Sequence, residues 1–367
     1  MKQHLPEYFA EFLGTALMMI IGIGAVTLMW AEQSPMREWI PSDDFRRLIT
    51  GIMFAGGATL VVLSRLGQRS GGHLNPAVTL AFWWRGKVTS TDAVWYFIAQ
   101  VLGAVAGAFV VARVGGEWAS SVQLGITLPG NGYSAAVVFI AEVVITFLLV
   151  FLIFFCVSKQ GLANKTPYLA GSLVAFLVFV EAPISGTSLN PARSFAPALL
   201  ESRYDHHWIY WSAPPLGALL AVFLFNALYP EKRRHGCAKL FHTERYRCIF
   251  SNCDYSLVPK GTVLLTEGEA AGKAYVVERG ELEVRKRDES GHEIVLARLG
   301  AGEWVGEMAL LLNLPRSATV VAVTDAQVRT VTPDNFSHVI EEHPEETLRL
   351  LKQLSERLHN ADKRILV

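Results

Sequence analysis

The chain has 367 residues, room for two domains, with 51% hydrophobic and 18% charged residues and 33 basic against 33 acidic side chains. That charged fraction lies below the roughly 25% of ordinary soluble domains, and a net charge of zero gives no electrostatic reason to expect nucleic acid as a partner. Charges are sparse between Leu48 and Tyr229 and dense from Glu231 onward, which predicts a membrane domain followed by a soluble one.

In chain order, the first apolar run, residues 12–30, is long, lacks a cleavage-like site and follows Glu11, so it does not read as a signal peptide. Six segments are long enough to span a bilayer, at residues 8–30, 47–66, 91–112, 134–157, 168–181 and 207–229. Two shorter apolar runs, residues 78–84 and 194–200, interrupt after the second and fifth spans. A run of roughly ten residues rises about 15 Å as helix, half of a ~30 Å hydrocarbon core. These runs therefore read as re-entrant half-helices that meet near the bilayer midplane.

Each half-helix follows the same tetrapeptide, Leu74-Asn75-Pro76-Ala77 and Leu189-Asn190-Pro191-Ala192. Asn suits the N-cap, and Pro suits the first helical position, where its missing N–H costs nothing. The order span, span, half-helix, span occurs twice. Three spans per copy force opposite orientations, the inverted repeat that places a site at mid-membrane. The echo extends to Ala10-Glu11-Phe12-Leu13-Gly14-Thr15 and Ala141-Glu142-Val143-Val144-Ile145-Thr146. Glu11 and Glu142 are acids inside spans, and their matched positions favour a role in holding the re-entrant loops over snorkelling to the interface. Small residues at Gly103, Ala104, Gly107, Gly217 and Ala218 suit close helix packing.

Arg65, Arg69, Arg85, Lys87, Lys159, Lys165, Lys232, Arg233 and Arg234 fall on one side of this topology. By the positive-inside rule both termini are cytoplasmic. Cys156, Cys237, Cys248 and Cys253 form no CxxC pair. With His235 and His242, the last three match no usual zinc spacing, so no metal is expected and the cysteines read as reduced thiols. Residues 235–250 read as a linker, helical around residues 239–246.

From Cys253 short strands take over. Residues 274–277 and 281–285 read as a two-faced hairpin across Glu278-Arg279-Gly280, and further strands are predicted at residues 293–299, 318–323 and 327–331. Thr332-Pro333 caps a helix, and Pro344 opens an amphipathic one with Leu348, Leu351, Leu354 and Leu358. The pattern is a β-roll closed by C-terminal helices. No helix-turn-helix follows Leu358, which sets aside a DNA-binding regulator. No nucleophile–base set or metal site suggests an enzyme.

The paired Asn-Pro-Ala motifs, with Arg193 directly after the second, closely resemble the aquaporins, the major intrinsic protein family. The resemblance implies an all-α membrane fold of six transmembrane helices plus two half-helices, four copies per assembly, and a multi-pass protein of the plasma (inner) membrane. Asn75, Pro76, Ala77, Asn190, Pro191 and Ala192 would form the pore motifs. The carbonyls around Gly71, Gly72, His73, Gly186 and Ser188 would line the path, with His73 a pore donor, a pH-sensitive lid residue or a packed loop histidine. The family's outer constriction maps onto Arg193, Thr187, Val178 and, on span two, Phe54, with Ala55 the alternative. Strict water channels resemble one another in carrying His where this chain has Val178. Glycerol facilitators carry Asp where it has Ser194, and Tyr210-Trp211 look like the water-channel pair. Water is thus the favoured permeant and a small neutral solute of the glycerol type the alternative.

Residues 306–319 resemble the phosphate-binding cassette of cyclic-nucleotide-binding domains, implying a ligand site at Gly306, Glu307, Met308, Ala309, Arg316 and Ser317. Arg316 would pair with the cyclic phosphate, Glu307 would accept from a ribose hydroxyl, and Ser317 would donate to a phosphate oxygen. cAMP is favoured over cGMP. The organisation expected is a channel at residues 1–232, a linker at 233–250 and a cytoplasmic regulatory domain at 251–367. A membrane-anchored cyclic-nucleotide receptor or scaffold without ligand gating is the competing reading.

Overall fold

A computed structural model of the chain describes residues 4–229, 237–241, 250, 255–270, 272–287, 292–312, 314–331, 333 and 347–356. It divides into two compact units, Met1–Cys253 and Asp254–Val367. In the first unit, six helices are long and apolar enough to cross a membrane: α1 (Leu5–Trp30), α2 (Asp43–Leu63), α4 (Ser90–Ser121), α5 (Ala135–Val157), α6 (Thr166–Ser185) and α8 (Trp208–Leu228). The half-helices are α3 (Pro76–Trp84) and α7 (Pro191–Leu200).

Several helices outrun the apolar segments that announced them, because a helix need not stop at the membrane edge. α2 begins at Asp43, where the Ser42 side chain accepts from the Phe45 N–H at 3.3 Å and two acids occupy the first turn. α4 starts on a Thr89 cap, 3.1 Å from the Asp92 N–H, and runs on to Ser121 through a break at Gly116, φ 49°. α6 extends to Ser185 and carries Pro183 inside.

The repeat is visible in the packing. α1 packs on α4, α5 on α8, and α2 on α6, its counterpart in the second copy. At Gly103 of α4 a Cβ would fall 2.3 Å from the Phe12 carbonyl oxygen, and at Gly217 of α8 one would fall 2.3 Å from the Val143 carbonyl oxygen. Phe12 and Val143 each follow the glutamate of their copy, so the same close approach is built twice.

The second unit holds two antiparallel four-stranded sheets, ordered β1-β8-β3-β6 and β2-β7-β4-β5. Its strands are β1 (Tyr255–Val258), β2 (Val263–Leu265), β3 (Ala274–Arg279), β4 (Leu282–Arg287), β5 (Glu293–Leu299), β6 (Trp304–Val305), β7 (Thr319–Ala322) and β8 (Ala326–Val331). The expected hairpin of residues 274–285 does not form. β3 pairs with β8 and β6, whereas β4 pairs with β5 and β7. Gly280, at φ 86°, carries the chain from one sheet to the other. Val277, Leu282, Leu299, Val305, Val320 and Val328 fill the interior. The C-terminal helix is described over residues 347–356, and of the expected Leu stripe its buried face keeps Leu354 alone among the described residues. Leu350 is buried against Trp304, with Leu354 beside it, while Leu348 and Leu351 are exposed. The helix expected after Thr332 and the position Leu358 lie outside the described residues.

Two linker expectations are also corrected. Residues 239–241 are not helical, residues 242–246 of the expected helix lie outside the described residues, and Cys237 is disulfide-bonded rather than a free thiol.

Gly103→Leu or Gly217→Leu is expected to lower stability by about 1–3 kcal/mol through overpacking. Gly24→Ala, where a Cβ meets nothing within 4 Å, should be neutral or slightly stabilising. Thermal unfolding midpoints in detergent check both.

Candidate functional site

The two half-helices meet head to head. Asn75 caps α3 by accepting from the Ala77 N–H at 2.8 Å, and Asn190 caps α7 by accepting from Ala192 at 3.0 Å and Arg193 at 3.3 Å. Each side-chain amide then donates across the junction, Asn75 Nδ2 to the Leu189 carbonyl and Asn190 Nδ2 to the Leu74 carbonyl, both at 2.8 Å. An amide nitrogen carries two hydrogens, so each Asn keeps a second N–H for the cavity that both residues line.

The loops entering this junction are held in the left-handed region. Leu74 has φ 53°, Leu189 φ 56° and Thr187 φ 49°, a conformation that costs a non-glycine residue of order 1–3 kcal/mol. Buried acceptors hold them there. Glu142 Oε1 accepts from the Ser188 N–H at 2.7 Å and the Ser185 hydroxyl at 2.6 Å, and its Oε2 accepts from the Leu189 N–H at 2.9 Å. In the first copy Glu11 Oε1 accepts from the Leu74 N–H and from Gln100 Nε2, with the Ser70 hydroxyl and the His73 N–H also directed at its carboxylate. Tyr96 donates to the Ser70 carbonyl and Tyr210 to the Ser185 carbonyl. The sequence reading missed Tyr96 and Gln100. The signal for Tyr96 was a repeated spacing, since Tyr96 precedes Gly103 by the interval that separates Tyr210 from Gly217.

A cavity of about 120 Å³ runs past Phe54, Ala55, Asn75, Asn190 and Arg193. Arg193 is 7% exposed, donates from Nη1 to the Gly125 carbonyl at 2.7 Å and lies 5.5 Å from the Phe54 ring centroid. The Phe54 ring packs on Gly22, where a Cβ would approach it to 2.3 Å. Phe54 is thus the span-two residue that faces Arg193, although Ala55 also lines the cavity. Val178 and Thr187 are not among the described lining residues. Val178 packs by Gly51, and the Thr187 hydroxyl donates to Glu181 Oε2 at 2.6 Å. Glu181, a buried acid that sequence reading did not single out, thereby fixes the loop on its filter side. Gly72, His73 and Ser188 line the cavity, whereas Gly186 packs on Thr127 and Gly71 on Phe250. His73 is buried, its Nδ1 3.0 Å from the Thr79 hydroxyl and its Nε2 2.8 Å from the Ala238 carbonyl oxygen.

In the second unit, helix α9 (Glu307–Leu312) follows Gly306, which sits at φ 78°. Arg316 is 6% exposed, and burial lowers its pKa from the ordinary guanidinium value. Its Nη1 donates to the Gly306 carbonyl at 2.9 Å and its Nη2 to the Lys273 carbonyl. Nε is buried with no partner among the described residues. A Cβ at position 306 would lie 2.8 Å from Nη1, so only glycine leaves the guanidinium its seat. Glu307 and Ala309 are buried beside it, while Met308 and Ser317 are exposed. A pinned guanidinium with an unanswered buried donor fits an anionic ligand.

Half-helices docked nose to nose inside a six-span inverted repeat define a membrane channel. The chain belongs to the major intrinsic protein family, whose model matches residues 1–225. A cyclic nucleotide-binding domain model matches residues 256–343. The chain is 32% identical over 232 residues to Probable aquaporin TIP2-2 of Oryza sativa subsp. japonica, covering 61% of this chain and 88% of that one. It is 34% identical over 230 residues to the lens fiber major intrinsic protein of Gallus gallus, covering 61% and 82%. The fold matches the aquaglyceroporin from Plasmodium falciparum with TM-score 0.53 at 22% identity, over 62% of this chain and 98% of that one. The protein is a multi-pass membrane channel carrying a cyclic-nucleotide-binding domain, not an enzyme.

Glu142→Gln would turn an amide N–H₂ toward a backbone donor and leave buried donors unanswered, at about 1–3 kcal/mol. Glu11→Gln should cost a similar amount, because the Leu74 N–H, Gln100, the Ser70 hydroxyl and the His73 N–H converge on its carboxylate. The unfolding midpoints of the two variants in detergent check both.

Proposed function

We propose that the protein is a passive water channel of the plasma (inner) membrane, with both termini cytoplasmic, whose conductance is regulated by cyclic nucleotide, cAMP in preference to cGMP. The observation that carries the water reading is the reciprocal Asn75–Leu189 and Asn190–Leu74 pairing. It leaves two N–H donors on the cavity at the point where two helix N-termini abut. Each N-terminus carries roughly half a positive charge. A water oxygen passing there accepts from Asn75 or Asn190, which turns its hydrogens away from the junction. Cations, hydronium included, meet a positive waist and then the fixed Arg193 guanidinium.

In this reading Asn75, Pro76, Ala77, Asn190, Pro191 and Ala192 are the pore motifs. Phe54, Val178, Thr187 and Arg193 form the filter, with Glu11 and Glu142 as loop supports. Residues 1–232 form the channel and residues 251–367 the sensor, in an assembly of four copies. Val178 widens the filter relative to a His-bearing water channel, which keeps a glycerol-type solute as the second reading. Arg316, with its unanswered Nε, would hold the cyclic phosphate. Glu307 would accept from the ribose and Ser317 would donate to the phosphate.

Stopped-flow shrinkage of proteoliposomes tests both parts. Water flux should exceed that of empty vesicles while a proton gradient is retained, and Arg193→Val should raise proton or glycerol leakage. Flux equal to empty vesicles would defeat the water reading. Calorimetry of the full chain should show cAMP binding tighter than cGMP, weakened about 10–100-fold by Arg316→Ala. Binding with unchanged flux would reduce the second unit to a receptor.

A further inference from the structure

The linker beyond α8 does not run free. Ala238, Lys239 and Leu240 are 0%, 2% and 6% exposed, and Phe250 is 5% exposed. A lysine so deeply buried is rare unless its ammonium is answered, and Lys239 Nζ donates to the Gln68 carbonyl at 2.8 Å. The Leu240 N–H donates to the Gly71 carbonyl at 2.9 Å, and His73 Nε2 lies 2.8 Å from the Ala238 carbonyl oxygen. The His73 ring is sandwiched between Phe82, with centroids 5.1 Å apart, and Phe250, at 5.3 Å and only 5° from parallel. Position 71 must be glycine for this fit, since it sits at φ 94° and a Cβ there would approach the Phe250 ring to 2.7 Å.

Gln68, Gly71 and His73 belong to one place, the loop between α2 and α3 on the side of the membrane where α1 begins and α8 ends, with Phe82 of α3 behind it. Leu240 lines the same cavity as Asn75, Asn190, Arg193 and His73. The Gly71 carbonyl is one of the oxygens expected to carry water along the path, and here it is taken by the Leu240 N–H. An apolar side chain at the head of a single file offers water neither donor nor acceptor, so entering molecules lose hydrogen bonds without replacement.

We infer that residues 237–241 and Phe250 form a built-in plug, with Leu240 as stopper and the Gln68–His73 loop as its seat, which closes the channel mouth on the side where α1 begins and α8 ends. The seat is a docking surface for the chain's own linker, matched to it by two carbonyl acceptors, one imidazole donor and one aromatic slot. This inference rests on the water-channel reading for its consequence and on contacts within the first unit for its geometry. The linker leads in sequence into the strands that begin at Tyr255. A ligand that favours the undocked linker would therefore open the pore, by the amount of its preference for that state.

The test uses the full chain in proteoliposomes, comparing the wild type with Lys239→Ala/Leu240→Ala and with Phe250→Ala, alongside hydrogen exchange of the peptide spanning residues 237–241. The expected result is shrinkage about fivefold faster or more in the variants, with slow exchange at Leu240 in the wild type that becomes fast in the variants. Equal, measurable flux in all three proteins overturns the plug. So does complete exchange of the wild-type peptide at the earliest time point. Slow wild-type exchange that the variants release, with flux at the level of empty vesicles throughout, supports the docked linker and defeats the water-channel reading instead.

Discussion

Two hydrogen bonds that cross between half-helices are the constraint from which the rest of the first unit follows. Helix N-termini carry like partial charges, and pointing two of them at one another is unfavourable unless something holds them together. Asn75 and Asn190 do so by capping their own helices with the amide oxygen and clasping the opposite loop with the nitrogen. The carbonyls they clasp belong to Leu74 and Leu189, which must adopt the left-handed backbone to present them. That strain is offset by carboxylates in the bilayer interior, which would themselves be costly without donors. Glu142 and Glu11 each answer donors of their own re-entrant loop, the Leu189 and Leu74 N–H groups among them.

The inverted repeat supplies each device twice, and the departures from symmetry are where the two faces of the channel acquire different characters. The second copy alone has Arg193, tied to the Gly125 carbonyl, and Glu181, which accepts from the Thr187 hydroxyl. The first copy alone has His73, and among the described residues its loop is the one that receives the linker. These two different ends come from a scaffold that is otherwise duplicated. Gly103 and Gly217, each beneath a carbonyl of the neighbouring helix, keep the two halves at the same close spacing.

In the second unit the equivalent constraint is Arg316. Two of its nitrogens are spent on backbone carbonyls of Gly306 and Lys273, which orients the guanidinium and leaves the buried Nε without a partner among the described residues. The two sheets place Lys273, just before β3, beside Gly306, just after β6, because β3 and β6 pair through Tyr275–Val305 and Val276–Trp304. The site is therefore a product of sheet pairing rather than of the cassette alone.

The limits of the sequence follow the range of the forces involved. Span number, half-helix length, the helix starts at Pro76 and Pro191 and the all-α-then-β order were legible, because bilayer thickness, N-capping and side-chain period act within one segment. The repeated glutamates were legible because duplication prints one physical solution twice. Strand partners were not, since Gly280 permits a hairpin and a change of sheet equally well, and the choice is made by β8 and β7 arriving from 34 to 57 residues downstream. The buried face of the C-terminal helix turned on Trp304, which selects Leu350 over the neighbouring leucines. The linker was expected to be helical around residues 239–246, and its described residues 239–241 instead lie bent in a seat formed by a loop from the other end of the unit. By itself the sequence determined which segments enter the membrane and which backbone groups need capping. Only the tertiary structure decided which distant carbonyl each buried donor meets, because that pairing depends on three-dimensional proximity that no local pattern encodes.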